Sequence, residues 1–186
     1  EGYNHFDHAD IYGKGECELL FGEVLRESPS LRDNMIITSK AGIRANPQRY
    51  DFSHDYIIGC VEGSLKRLST EYLDLFLLHR PDYLFNAQDV AETFQQLKAS
   101  GKVKHFGVSN FSPSQVNLLQ PALDEPLVVN QIEVNIHNTQ SLLDGTLDQC
   151  QAQQITPIAW CPLGGVAYEA WGNTFSKEDE QRIATE

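Results

Sequence analysis

Apolar positions along this chain follow two alternating rhythms. Met35-Ile36-Ile37-Thr38-Ser39, Leu73-Asp74-Leu75-Phe76-Leu77-Leu78, Val103-Lys104-His105-Phe106-Gly107-Val108, Leu127-Val128-Val129-Asn130-Gln131-Ile132 and Pro157-Ile158-Ala159-Trp160 are short apolar or β-branched runs, as expected of strands buried on both faces. Tyr3 to Asp7 is a weaker sixth. Between these runs the period lengthens: Tyr56, Ile57, Cys60, Val61, Leu65 and Leu68 fall on one helical face, and Val90, Phe94 and Leu97 repeat the pattern. Ser112-Pro113-Ser114-Gln115 predicts a helix start, with a capping Ser, Pro at the first helical position and Gln three residues beyond the cap. Gly101 is a predicted helix C-cap and Ser176-Lys177-Glu178-Asp179 a further helix start. Strand and helix alternating in this way predict a parallel sheet, and the even spread of Pro and Gly predicts one domain over residues 1–186.

Composition narrows the partners. Fourteen basic against 26 acidic side chains leave a net charge of −12, and no basic cluster offsets it. That balance argues against nucleic-acid and anionic-membrane binding, which both need clustered Lys and Arg. No apolar stretch approaches the roughly 20 residues of a spanning helix. Cys17, Cys60, Cys150 and Cys161 are scattered and suit reduced thiols, so the expected protein is soluble and cytoplasmic.

In sheets built from βα units the ligand site forms at the carboxyl ends of the strands. Asp7 closes the first predicted strand, Tyr12 follows in its loop, Lys40 closes the second and His79 the third. Closure of the sheet would bring an acid, a phenol, an amine and an imidazole to one mouth. Gly13-Lys14-Gly15 lacks the remainder of either nucleotide fingerprint and is read as a turn. A metal site on His5-x-x-His8 is disfavoured, because strand geometry puts His5 and Asp7 on one face and His8 and Asp10 on the other. Tyr83 and Phe85 are read equally as pocket lining or as loop anchors.

Four motifs in order, Phe6-Asp7-His8-Ala9-Asp10-Ile11-Tyr12-Gly13, Ile37-Thr38-Ser39-Lys40, Leu77-Leu78-His79-Arg80-Pro81-Asp82 and Gly107-Val108-Ser109-Asn110-Phe111, resemble the aldo-keto reductase family. The resemblance implies a (β/α)8 barrel, reduction of aldehydes or ketones by hydride transfer from NADPH, and Asp7, Tyr12, Lys40 and His79 as the catalytic set. Tyr12 would be the proton donor. A phenol with a pKa of about 10 is a reluctant acid, so Lys40, kept charged and oriented by Asp7, is expected to lower it by roughly 3 units, about 4 kcal/mol. His79, expected neutral, would hold the carbonyl.

The same resemblance implies that Ser109, Asn110 and Gln131 bind the nicotinamide carboxamide and that Asp7 lies beside the cofactor. Trp160 replaces the usual stacking Tyr, and Cys161-Pro162-Leu163-Gly164 replaces a Ser-Pro-Leu-Gly turn along the pyrophosphate. No metal is expected. NADH stays open, because the family's 2′-phosphate-binding residues lie in a C-terminal part not found in this sequence. A second reading, a cofactor-binding regulatory protein with little turnover, retains the same residues, as potassium-channel β subunits do. Motif placement leaves about strands 2 to 7 of the eight in these 186 residues, so the expectation is a barrel domain lacking its N- and C-terminal parts.

Overall fold

The structure, a computed structural model, describes residues 2–164. Six strands form one parallel sheet in the order β1 (His5–Asp7), β2 (Ile36–Ala41), β5 (Leu73–Leu78), β6 (Val103–Ser109), β7 (Val129–Glu133) and β8 (Thr156–Trp160). Every neighbouring pair is parallel, for example Thr38 beside Leu75 and Val129 beside Thr156. Helices α1 (Glu16–Glu27), α2 (His54–Leu68), α3 (Ala87–Ala99), α4 (Pro113–Leu119), α5 (Gln140–Leu143) and α6 (Thr146–Ala152) fall in the connections. Sequential parallel neighbours with helical crossovers make six strands of an incomplete (β/α)8 barrel, with β1 and β8 as its two edges.

The sequence patterns account for most of this. Ile57, Val61, Leu65 and Leu68 of α2 are buried against Ile37 of β2 and Phe76 of β5 in one core, while Tyr56 and Cys60 pack at its margin. Phe106 stacks on Phe94 with ring centroids 4.1 Å apart, tying β6 to α3. At α4 the full capping box forms, with Gln115 N–H donating to Ser112 Oγ and Ser112 N–H to Gln115 Oε1. Gly101 sits one residue beyond the Ser100 cap of α3 in the left-handed region, so the predicted stop is displaced by one position. The predicted helix start at Ser176 lies outside the described residues.

Two features depart from the sequence reading. A two-stranded hairpin, β3 (Ile43–Ala45) and β4 (Gln48–Tyr50), follows β2 without any apolar run to announce it. Arg44 and Arg49 face each other across it, and Asp51 bridges both at 2.7 and 3.1 Å. The second departure is close helix packing: a Cβ on Gly22 of α1 would meet the Arg67 carbonyl oxygen of α2 at 2.0 Å. Only glycine allows that approach, and it lets α1 pack closely on α2.

Candidate active site

Lys40 is among the largest fully buried side chains of the described residues and lies on β2, a strand without an apolar reason to hold an amine. Its Nζ meets Asp7 Oδ2 at 2.6 Å, and Gln131 Nε2 donates to the same oxygen at 3.3 Å. The register of β1 on β2 explains the meeting: Asp7 pairs with Thr38, so Asp7 and Lys40 reach the same end of the sheet. Burial pulls the Lys40 amine below its usual range, and the Asp7 charge and hydrogen bond oppose that pull.

Tyr12 stands at the head of a short 3-10 turn, Tyr12–Gly15, in which Gly13, Lys14 and Gly15 have φ of 57°, 58° and 95°. Three consecutive left-handed residues reverse the chain and aim the loop back at the sheet. The predicted turn is therefore turn chemistry. The Tyr12 and His79 rings meet edge to face, with centroids 5.8 Å apart, and Lys40 Nζ lies 5.2 Å from the Tyr12 centroid. Asp7, Tyr12, Lys40 and His79 thus gather at one end of β1, β2 and β5.

The electrostatics correct one expectation. Burial first, then the Asp7 charge, push the Tyr12 phenol up to about 12, the reverse of the expected lowering by Lys40. The reason is pairing: the ammonium is locked to Asp7, so the pair presents little net positive charge, and its carboxylate member opposes a phenolate. The cation that does act downward on Tyr12 is Arg80. His79 is pushed down to about 3 by burial, then by Lys40 and Arg80, which leaves a neutral imidazole at physiological pH. Its Nδ1 is buried without a hydrogen-bond partner among the described residues.

A chain of side chains continues round the mouth. Asn110, held at φ 61°, donates from Nδ2 to Ser109 Oγ at 2.9 Å, and Ser109 Oγ donates to the Gln131 carbonyl at 2.9 Å. The Trp160 indole N–H donates to Asn110 Oδ1 at 2.9 Å, which joins β8 to β6. Cys161–Gly164 forms a turn in which Gly164 N–H donates to the Cys161 carbonyl, with Leu163 exposed and Pro162 between. All twelve residues singled out from sequence lie along this end of the sheet or in the turn that follows β8. Phe85 packs against Phe52 and Phe111 and anchors its loop, whereas Tyr83 is exposed. His5 Nε2 bonds Thr38 Oγ1 at 2.8 Å, and no group of three metal-ligating side chains gathers among the described residues.

Three residues escaped the sequence reading. Arg80 was visible only as the neighbour of His79. Asp10 is half-buried in the Asp7–Tyr12 loop, its N–H donating to the Lys40 carbonyl at 3.0 Å, and desolvation pushes its carboxyl up to about 6. Glu18 on α1 is completely buried, accepting from Ser39 Oγ at 2.6 Å and from Arg67 Nε at 2.7 Å. A carboxylate in an otherwise exposed helical turn carries no local signal of that burial.

The architecture is that of the α/β barrels, with an ionisable cluster at the carboxyl ends of its strands. The chain belongs to the Aldo/keto reductase family, whose sequence profile matches residues 1–183. A Bacillus subtilis (strain 168) protein described as uncharacterized oxidoreductase YcsN is 48% identical over 194 aligned positions, covering 99% of this chain and 63% of its own length. The 6-dehydroglucose reductase of Agrobacterium fabrum is 39% identical, covering all of this chain and 65% of its own length. Among solved structures, an aldo/keto reductase from Klebsiella pneumoniae in complex with NADP and acetate superimposes with a TM-score of 0.76 at 28% identity, over 99% of this chain and 61% of that one. The chain therefore spans less than two thirds of the length of the curated relatives it matches.

Proposed function

We propose that this chain is the catalytic part of an NADPH-dependent oxidoreductase that reduces aldehydes or ketones to alcohols. The observation that carries the proposal is the pairing of the buried Lys40 amine with Asp7 beside Tyr12 and a neutral His79. When bound, the nicotinamide supplies the hydride. Ser109, Asn110 and Gln131 would hold its carboxamide, Trp160 its ring face by offset stacking, and the Cys161-Pro162-Leu163-Gly164 turn its pyrophosphate through backbone N–H groups.

In this reading the chain's own groups manage the proton. Reduction builds negative charge on the carbonyl oxygen, and Tyr12 donates its hydroxyl proton there. His79, uncharged, orients the carbonyl without competing as an acid. Asp7 holds the Lys40 amine in place beside the phenol, and Arg80, the cation that acts downward on Tyr12, helps to bear the phenolate that proton donation leaves behind. Because the phenol starts at about 12, proton donation depends on charge developing in the substrate and not on a pre-lowered phenol. The Klebsiella structure with NADP favours this cofactor, and the reductase name of the Agrobacterium relative favours this reaction. The four unpaired cysteines accord with a cytoplasmic location.

The test is Tyr12→Phe in the full-length protein. Turnover with an aldehyde panel is expected to fall by about 10²–10⁴-fold, as for loss of a general acid, with NADPH affinity held within a few-fold. Undiminished turnover overturns the assignment.

A further inference from the structure

Arg80 follows His79 directly and is half-buried, with its guanidinium carbon 5.3 Å from the centroid of the Trp160 ring. The Lys40 amine at the mouth is matched by Asp7 at 2.6 Å. Asp82, the acid nearest to Arg80 along the chain, turns into its own loop, where its carboxylate accepts the Leu84 N–H at 3.0 Å. No salt bridge to Arg80 forms among the described residues. Its field nevertheless reaches both Tyr12 and His79. Among the described residues, a chain with a net charge of −12 thus places beside its candidate reacting groups a cation that no carboxylate pairs.

Resting on the reductase reading, we propose that Arg80 determines specificity, selecting carbonyl substrates that bear a second, anionic group, a carboxylate or a phosphate, within reach of its guanidinium. This group is distinct from the carbonyl oxygen facing Tyr12. A guanidinium presents a planar fork that pairs bidentately with either oxyanion, and such charge-assisted bonds exceed neutral ones about twofold in strength. Contact with the Trp160 ring limits the side chain's freedom before substrate arrives, which lowers the entropic cost of binding. The bound anion would replace water that burial has already thinned around Arg80.

Paired substrates test this in the full-length protein: 4-carboxybenzaldehyde against benzaldehyde, and glyceraldehyde 3-phosphate against glyceraldehyde. The expected preference in kcat/KM for at least one anionic member is about tenfold or more, expressed in KM, and its carboxylate or phosphate identity follows from which pair shows it. Arg80→Gln is expected to collapse that ratio and Arg80→Lys to restore part of it. Ratios near one in both pairs, or a ratio that survives Arg80→Gln, overturn the proposal. A readout independent of turnover is the fluorescence of Trp160, obtained as the difference between the protein and its Trp160→Phe variant, titrated with benzoate and with benzamide. Saturable quenching by benzoate alone, lost in Arg80→Gln, supports the anion site, and indifference to benzoate counts against it. Failure of the reductase reading looks different: no aldehyde of either kind is reduced and Tyr12→Phe changes nothing.

Discussion

Lys40 Nζ lies 2.6 Å from Asp7 Oδ2, yet the two partners are unequally buried, the lysine side chain 1% exposed and the aspartate 39%. Removing either partner therefore leaves a different problem behind. Asp7→Asn strands an ammonium that water cannot reach, and the expected loss of stability is about 3 kcal/mol. Lys40→Met leaves a carboxylate that water can still solvate, so its expected loss is about 1 kcal/mol. Urea unfolding of both variants near neutral pH checks the asymmetry; equal losses would show that burial of the amine does not govern the pair.

Asp10 makes stability depend on pH in a predictable direction. Burial raises its carboxyl from 3.8 to about 6, with Glu18 adding to the rise and Cys60 and Arg67 opposing it. Between those two values the folded state binds more protons than the unfolded state. Stability accordingly falls as pH rises from 3.8 through about 6 and stays lower above it. Asp10→Asn is expected to stabilise the protein above that window by about 2 kcal/mol and to change little below it. Denaturation midpoints measured across the window decide; a variant with an unchanged pH slope contradicts the account.

Glu18 and Arg67 join α1 to α2 through a contact that is closed to water on the acidic side, since Glu18 is fully buried while Arg67 keeps 27% of its side-chain surface. Glu18→Ala leaves Ser39 Oγ and the Arg67 guanidinium without their acceptor and is expected to cost about 3 kcal/mol. Glu18→Gln preserves an acceptor oxygen and is expected to cost about half as much. Thermal unfolding distinguishes them, and the ranking matters more than either value.

The four cysteines should separate by reactivity. Cys17 is exposed, whereas burial and then the Asp10 charge push the Cys60 thiol up to about 12, and Cys150 is buried and also raised. Thiolate is the reacting form, so iodoacetamide near neutral pH should label Cys17 well before Cys60 or Cys150. Mass spectrometry of the time course checks the order. Labelling of Cys60 at the rate of Cys17 would mean that its thiol is not held neutral.

Much of the fold was legible because parallel strands buried on both faces read as continuous apolar runs, and because a capping box such as Ser112–Gln115 is complete within four residues. The β3–β4 hairpin was not, since Gln48–Tyr50 is wholly exposed and its pairing is secured by Asp51 and not by apolar alternation. Strand ends were also displaced. The second strand, expected to close at Lys40, continues to Ala41 because Ala41 pairs with Leu78 of β5, a partner that lies outside any local window.

The residue types at the strand ends, and their order along the chain, were determined by sequence alone: Asp7, Lys40, His79 and Ser109 each close or follow a run that had to be a strand. Their charges were decided by the tertiary structure. The family resemblance implied Lys40 as the cation acting on Tyr12, but the pairing of Lys40 with Asp7 cancels much of its field, and Arg80 takes the downward role. Likewise, nothing local marks Asp10 as a carboxyl raised to about 6, or Glu18 as fully buried. The physical reason is the same in each case. Secondary structure follows from periodicity and local hydrogen bonding, whereas the field at an ionisable group depends on which charges and how much water surround it in space.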